Sequence, residues 1–245
     1  MNEESNSAPP AAHTVTSYDE DLQFLMRRIA EMGGVSERMV EQAVAALVQS
    51  DAGLSQQVVS EDIILDEAER EIGEKAVLII TKRQPMASDL REIIGAIRIA
   101  ADLERVGDMA KNIAKRVIAV QGMVQPKSLV RGIDHLSELA LTQLKEVLDA
   151  YSKRSPEMAN SVWERDEEID AIYTSLFREL LTYMMEDPRN ITACTHLLFC
   201  AKNIERIGDH ATNIAETVYY MATGSQFAIE RPKDDDSANV VVEQD

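Results

Sequence analysis

With 245 residues, the chain is long enough for one large domain or two of about 100 to 120 residues, and its net charge of −18 excludes the basic face that duplex or RNA binding requires. Hydrophobic residues make up 45 % but aromatics only 4 %, with 7 prolines, a profile suited to helix packed on helix. No run approaches the roughly 18 apolar residues of a membrane span, and the first residues lack the basic start and apolar core of a signal peptide. The expectation is a cytoplasmic protein, with no nucleic-acid partner and no membrane insertion, whose partners are cations or basic protein surfaces.

Residues 1–16 are polar, contain Pro9-Pro10 and are expected to form a disordered tail. From Tyr18, apolar residues recur at helical spacing as Leu22, Leu25, Met26, Ile29 and Met32, then as Val35, Met39, Val40, Ala43, Val44 and Leu47. This predicts one long helix with a kink at Gly33-Gly34. Ser50-Asp51-Ala52-Gly53 turns the chain, and a second helix is predicted from Val58 to Lys82. Gln84-Pro85 closes it, because the residue before a proline is pushed out of the helical region. Ser88-Asp89 opens a third helix, to about Val120. After a linker at 122–126, three more helices are predicted: Ser128 to Tyr151, Glu157 to Met185 and Thr192 to Ala222, punctuated by Ser155-Pro156 and Asp187-Pro188. Cys194 and Cys200 fall in an apolar helical stretch and are expected to be buried free thiols. Residues 224–245 are acidic and predict a disordered tail. The fold expected is all-α: two tandem three-helix up-and-down bundles, 17–122 and 127–223, each folding from local contacts.

An internal repeat relates the halves. Leu103-Glu-Arg-Val-Gly-Asp108 returns as Ile204-Glu-Arg-Ile-Gly-Asp209, and Asn112 returns as Asn213, all at an offset of 101 (205 − 104, 209 − 108 and 213 − 112). Residues four apart lie on one helix face, so Glu104, Asp108 and Asn112 form a column of oxygens, as do Glu205, Asp209 and Asn213. Each column continues a row that begins apolar, which points it toward a neighbouring helix. The middle helix of each half carries its own pair, Asp62/Asp66 and Asp166/Asp170. Antiparallel neighbours would bring four carboxylates to one groove, which is costly unless something positive neutralises them. A glycine inside each motif costs about another 1 kcal/mol relative to alanine. A divalent or trivalent cation is the simplest compensation. Hard oxygen donors favour magnesium, manganese, calcium or iron over zinc. The competing reading is a packing device in which Arg105 and Arg206 pair the acids. An enzyme, a carboxylate-bridged metal oxidase or hydrolase, is the alternative from another class. Ferritin-type di-iron sites use Glu-x-x-His, whereas Gly107 and Gly208 stand three places after Glu104 and Glu205.

Arg83-Gln-Pro-Met-Ala-Ser-Asp-Leu-Arg91, followed by the Ala101 to Ala114 signature, with Leu181-Thr-Tyr-Met-Met-Glu-Asp187 and Asn203-Ile-Glu-Arg-Ile-Gly-Asp209, closely resembles the PhoU family over about Tyr18 to Gly224. The resemblance implies a non-enzymatic cytoplasmic regulator of phosphate homeostasis, which represses the phosphate-starvation regulon and restrains uptake. It implies contact with the sensor histidine kinase and the phosphate ABC transporter ATPase, and often a homodimer. It further implies that the E(D)xxxD motifs, here Glu104/Asp108 and Glu205/Asp209 opposite Asp62/Asp66 and Asp166/Asp170, bind metal in some members.

Overall fold

The computed structural model describes residues 11–227, so 1–10 and 228–245 of the expected tails (1–16 and 224–245) lie outside the described residues, whereas 11–16, expected to be disordered, belong to the first helix. The elements are α1 (Ala11–Gln49), α2 (Ala52–Arg83), α3 (Ser88–Ala119), α4 (Lys127–Lys153), α5 (Pro156–Trp163), α6 (Asp166–Glu186), a 3-10 turn (Pro188–Asn190) and α7 (Ile191–Thr223). No strand occurs among the described residues.

Local chemistry sets several of the boundaries. Asp51 Oδ1 accepts from the backbone N–H of Gly53 (2.8 Å) and of Leu54 (3.0 Å), so α2 begins at Ala52, six residues before the predicted start. It ends ahead of Gln84-Pro85, where Gln84 turns left-handed at φ 47°. Ser155 and Asp187 cap the elements that open with Pro156 and Pro188. α1 starts at Ala11 rather than Tyr18 and runs unbroken through Gly33-Gly34. The largest departure is in the second half, where one predicted helix is two. α5 ends at Trp163 and α6 starts at Asp166, and the break shows no Pro or Gly to announce it. Gln143 of α4 reaches into it, its Nε2 donating to Arg165 O at 2.9 Å. This contact crosses 22 positions of sequence and is invisible to periodicity.

The two halves do not stand apart. α1, α2 and α3 pack together, as do α4, α5, α6 and α7, and the halves join along α3 with α7 and α1 with α4. One continuous buried core runs from Leu25 to Val218 across both. Leu148 lies against Gly33 and Met221 against Gly95, so glycines admit side chains from the opposite half. Arg154–Glu92 (2.8 Å) and Lys145–Glu41 (2.9 Å) fasten the seam at its edges. The two tandem bundles therefore share one core. Both cysteines are buried and free, with Cys200 pushed up to about 12 by burial.

The repeated glycines have a packing reason. A Cβ on Gly107 would stand 2.1 Å from Leu65 Cδ1, and one on Gly208 would stand 2.6 Å from Ile169 Cδ1. Leu65 and Ile169 hold matching places on α2 and α6, so in each half the middle helix inserts a branched side chain into the glycine gap of its neighbour. Close approach of the helices, not a bound ion alone, repays the cost of glycine. Gly107→Ala is expected to destabilise the fold by about 1 kcal/mol net, overpacking outweighing the gain in helix propensity. Gly73→Ala, with nothing within 4 Å of its Cβ, is expected to stabilise it by about 0.5 to 1 kcal/mol. Urea midpoints of the two variants should shift in opposite directions.

Candidate functional site

Because Leu65 seats on Gly107, α2 and α3 run close enough for their acid columns to meet. Lys111, one turn beyond Asp108, sits between them: its Nζ lies 2.5 Å from Asp62 Oδ2 and 2.7 Å from Asp108 Oδ1. Arg105 Nε is 3.3 Å from Glu104 Oε2, and its Nη1 is 3.1 Å from Asp108 Oδ2. Burial works to raise the Asp108 carboxyl, but the hydrogen bond and charge of Lys111, with Arg105, bring it below the usual value. Glu104 moves up, through burial first and then the Asp108 charge. Lys111 is held well above the usual lysine range by Asp108 and Asp62, against the pull of desolvation. Asp62 is buried, whereas Asp66 and Asn112 are exposed. The structure thus brings Asp62, Glu104 and Asp108 into one ion-pair network and leaves Asp66 and Asn112 on its rim.

The second groove repeats the helices but not the contacts. Asp166, Asp170 and Glu205 are all at most 5 % exposed. Thr212, the repeat counterpart of Lys111, donates its hydroxyl to Asp166 Oδ1 at 2.8 Å. Here the cation is Lys202, one turn before Glu205, with Nζ 2.8 Å from Glu205 Oε1 and 4.9 Å from the centre of the Tyr173 ring. Glu205 is raised to about 7, chiefly by burial and further by the charges of Asp209 and Asp170, with Lys202 opposing. Its Oε2 is buried with no hydrogen-bond partner among the described residues, and so is Gln143 Oε1, which lies beside Gly208.

Asn213 turns across the seam, where its Nδ2 is 3.5 Å from Asp102 Oδ1. His210 Nδ1 is 2.8 Å from the same oxygen, so its ring joins α7 to α3. Among the described residues no group of three His, Cys, Asp or Glu is disposed to hold a metal ion. In the first groove the inward oxygens of Asp62 and Asp108 are already spent on an ammonium group, an arrangement that does not fit a resident metal. The residues that sequence reasoning missed are Lys111, Lys202, Thr212 and Gln143. The first two carried a signal, since each lies three residues from an acid of the column, the spacing of a helical ion pair.

No described helix is long and apolar enough to cross a membrane. The PhoU domain model matches residues 29–117 and 133–218. The chain is 74 % identical over 224 residues to a phosphate-specific transport system accessory protein PhoU homolog of Rhizobium meliloti, covering 91 % of this chain and 94 % of that one. It is 50 % identical over 221 residues to the homolog of Caulobacter vibrioides, covering 90 % and 96 %. The crystal structure of PhoU from Pseudomonas aeruginosa superposes with a TM-score of 0.80 at 39 % identity, covering 85 % of this chain and 100 % of that one. The PhoU crystal structure from Streptococcus pneumoniae gives 0.80 at 25 % identity, covering 86 % and 100 %. With both halves matched by the domain model and two acid-lined glycine seams in register, this chain belongs to the PhoU family.

Proposed function

We propose that the chain is a cytoplasmic regulator of phosphate homeostasis. It restrains phosphate uptake and the phosphate-starvation response by contacting the transporter's ATPase and the sensor histidine kinase. The observation that carries this reading is the likeness, over nearly the whole chain, to proteins named as accessories of phosphate-specific transport. The surface supports the mode of contact. Asp66 is exposed and Glu69 half-buried, and the charges of both act on Glu104, so the rim of the first groove offers a basic partner several carboxylates on a rigid pair of helices. Individual exposed pairs contribute little to affinity, roughly 0 to 1 kcal/mol each, but together they steer and orient. A homodimer belongs to the same reading, supported by the exposed Ile63, Ile64, Val77 and Leu78 on α2.

The test is capture of the kinase and of the transporter ATPase, at high and low phosphate, by wild type and by Glu104→Lys/Asp108→Lys. Capture and repression are expected to be lost at unchanged helicity. Asp66→Lys, on the exposed rim, is expected to weaken capture without touching the packed interior. Unchanged capture by both variants would contradict docking through this face.

A further inference from the structure

The same electrostatic problem is solved twice in this molecule by residues that the repeat does not relate. In the first half, Lys111 reaches back three positions to Asp108 and across to Asp62 on α2. Its counterpart in the second half, at 111 + 101 = 212, is a threonine. In the second half, Lys202 reaches forward three positions to Glu205, and its counterpart at 202 − 101 = 101 is an alanine. Each acidic groove therefore receives a lysine, from beyond Asp108 in one half and from before Glu205 in the other.

We infer that in this chain the two ammonium groups stand where a multivalent cation would otherwise be required, so that each groove carries a counter-charge of its own and the fold is independent of metal. In the first groove the placement is close: one nitrogen within 2.7 Å of carboxylates from two helices occupies the point a bridging cation would take. An ammonium group brings three donors and one charge, which suits two carboxylates. A divalent ion would have to expel it, and then compete with a hydrogen-bonded charge held beside its partners on its own helix. In the second groove, Lys202 lies over the Tyr173 ring, an aromatic surface that suits an ammonium group and offers no oxygen lone pairs at its face. Neither groove gathers three carboxylate, imidazole or thiolate donors about one point.

The inference rests on the acidic grooves being the working feature of the protein, and its test separates the two. The probe is Mn²⁺ alone, titrated calorimetrically into full-length protein after chelation, with thermal unfolding followed in parallel in EDTA and in Mn²⁺. Wild type should take up no stoichiometric Mn²⁺ in the micromolar range, and its Tm should be the same in EDTA as in Mn²⁺. Lys111→Ala should unfold at lower temperature in EDTA and recover with Mn²⁺, gaining about one equivalent, and Lys202→Ala should gain a second. Lys111→Arg should need no metal, because it restores the charge. Stoichiometric micromolar uptake by wild type, or a Lys111→Ala protein whose stability neither falls nor responds to Mn²⁺, would overturn the inference. Should a lysine variant fail to fold, the metal content and EDTA response of wild type decide the matter alone. Partner capture in EDTA separates the readings: persistence agrees with both, and loss of capture in an otherwise Mn²⁺-indifferent protein condemns only the docking face.

Discussion

Glu205→Gln is expected to raise the melting temperature at pH 8 and to raise it by only a few degrees at pH 5. Glu205 is 4 % exposed, and its carboxyl is raised from its ordinary value of 4.5 to about 7, principally by burial. Because the folded value lies above the unfolded one, the folded state holds a proton between them that the unfolded state has released. Stability is then full below about pH 4.5, falls as pH rises and has lost its whole increment once pH passes about 7. The interval from 4.5 to about 7 corresponds to about 3 kcal/mol at 1.36 kcal/mol per tenfold. Glutamine mimics the protonated form and carries no such penalty. For a chain of this size the gain at pH 8 translates to a Tm rise on the order of 6 to 12 °C, shrinking to a few degrees by pH 5. Differential scanning calorimetry of both proteins at the two pH values checks it. A rise of equal size at both would show that the gain does not come from ionisation, and a fall at pH 8 would show that the ionised carboxylate is welcome at this position.

Leu103→Ala is expected to lower the stability of the whole chain by about 2 to 5 kcal/mol, through a single unfolding transition. Leu103 is 0 % exposed, sits in the continuous core and lies on α3, the helix that packs against both α2 and α7. Its backbone carbonyl also accepts the hydroxyl of Ser36 on α1 at 3.2 Å. Truncation opens a cavity in the core that both halves share, and α3 cannot shift to fill it without disturbing the α7 seam. The expected calorimetric trace shows one peak displaced to lower temperature, its width unchanged. Two peaks, with only one displaced, would mean that the halves melt independently. Cross-half contacts such as Met221 on Gly95 and Leu148 on Gly33 argue against that result.

Ion-pair geometry is partly legible in the sequence. The offset of 101 identified Glu104/Asp108 and Glu205/Asp209 as equivalent, and the structure places each pair on the helix that faces the middle helix of its own half. Spacing alone could not tell which cation meets the acids. A bound ion and a lysine side chain satisfy the same charge arithmetic, and only the cross-helix reach of Lys111 Nζ to Asp62 distinguishes them. Asn112 and Asn213, equivalent by the repeat, separate for a similar reason: one remains exposed while the other meets Asp102 across the seam. The α5–α6 break was hidden because its cause, Gln143 reaching Arg165 O, comes from another helix.

The helical spans apart from the α5–α6 break, the caps at Asp51, Ser155 and Asp187, the twofold repeat and the family follow from the sequence by itself, because 3.6-residue periodicity, proline and capping side chains act over a few positions of chain. The shared core and the pairing of each acid depended on tertiary structure, because these are set by which helices approach across Gly33, Gly95, Gly107 and Gly208. A glycine in a helix records only that something comes near. What comes near, whether Leu65 or Ile169 from the same half or Leu148 or Met221 from the other, is fixed when the helices pack.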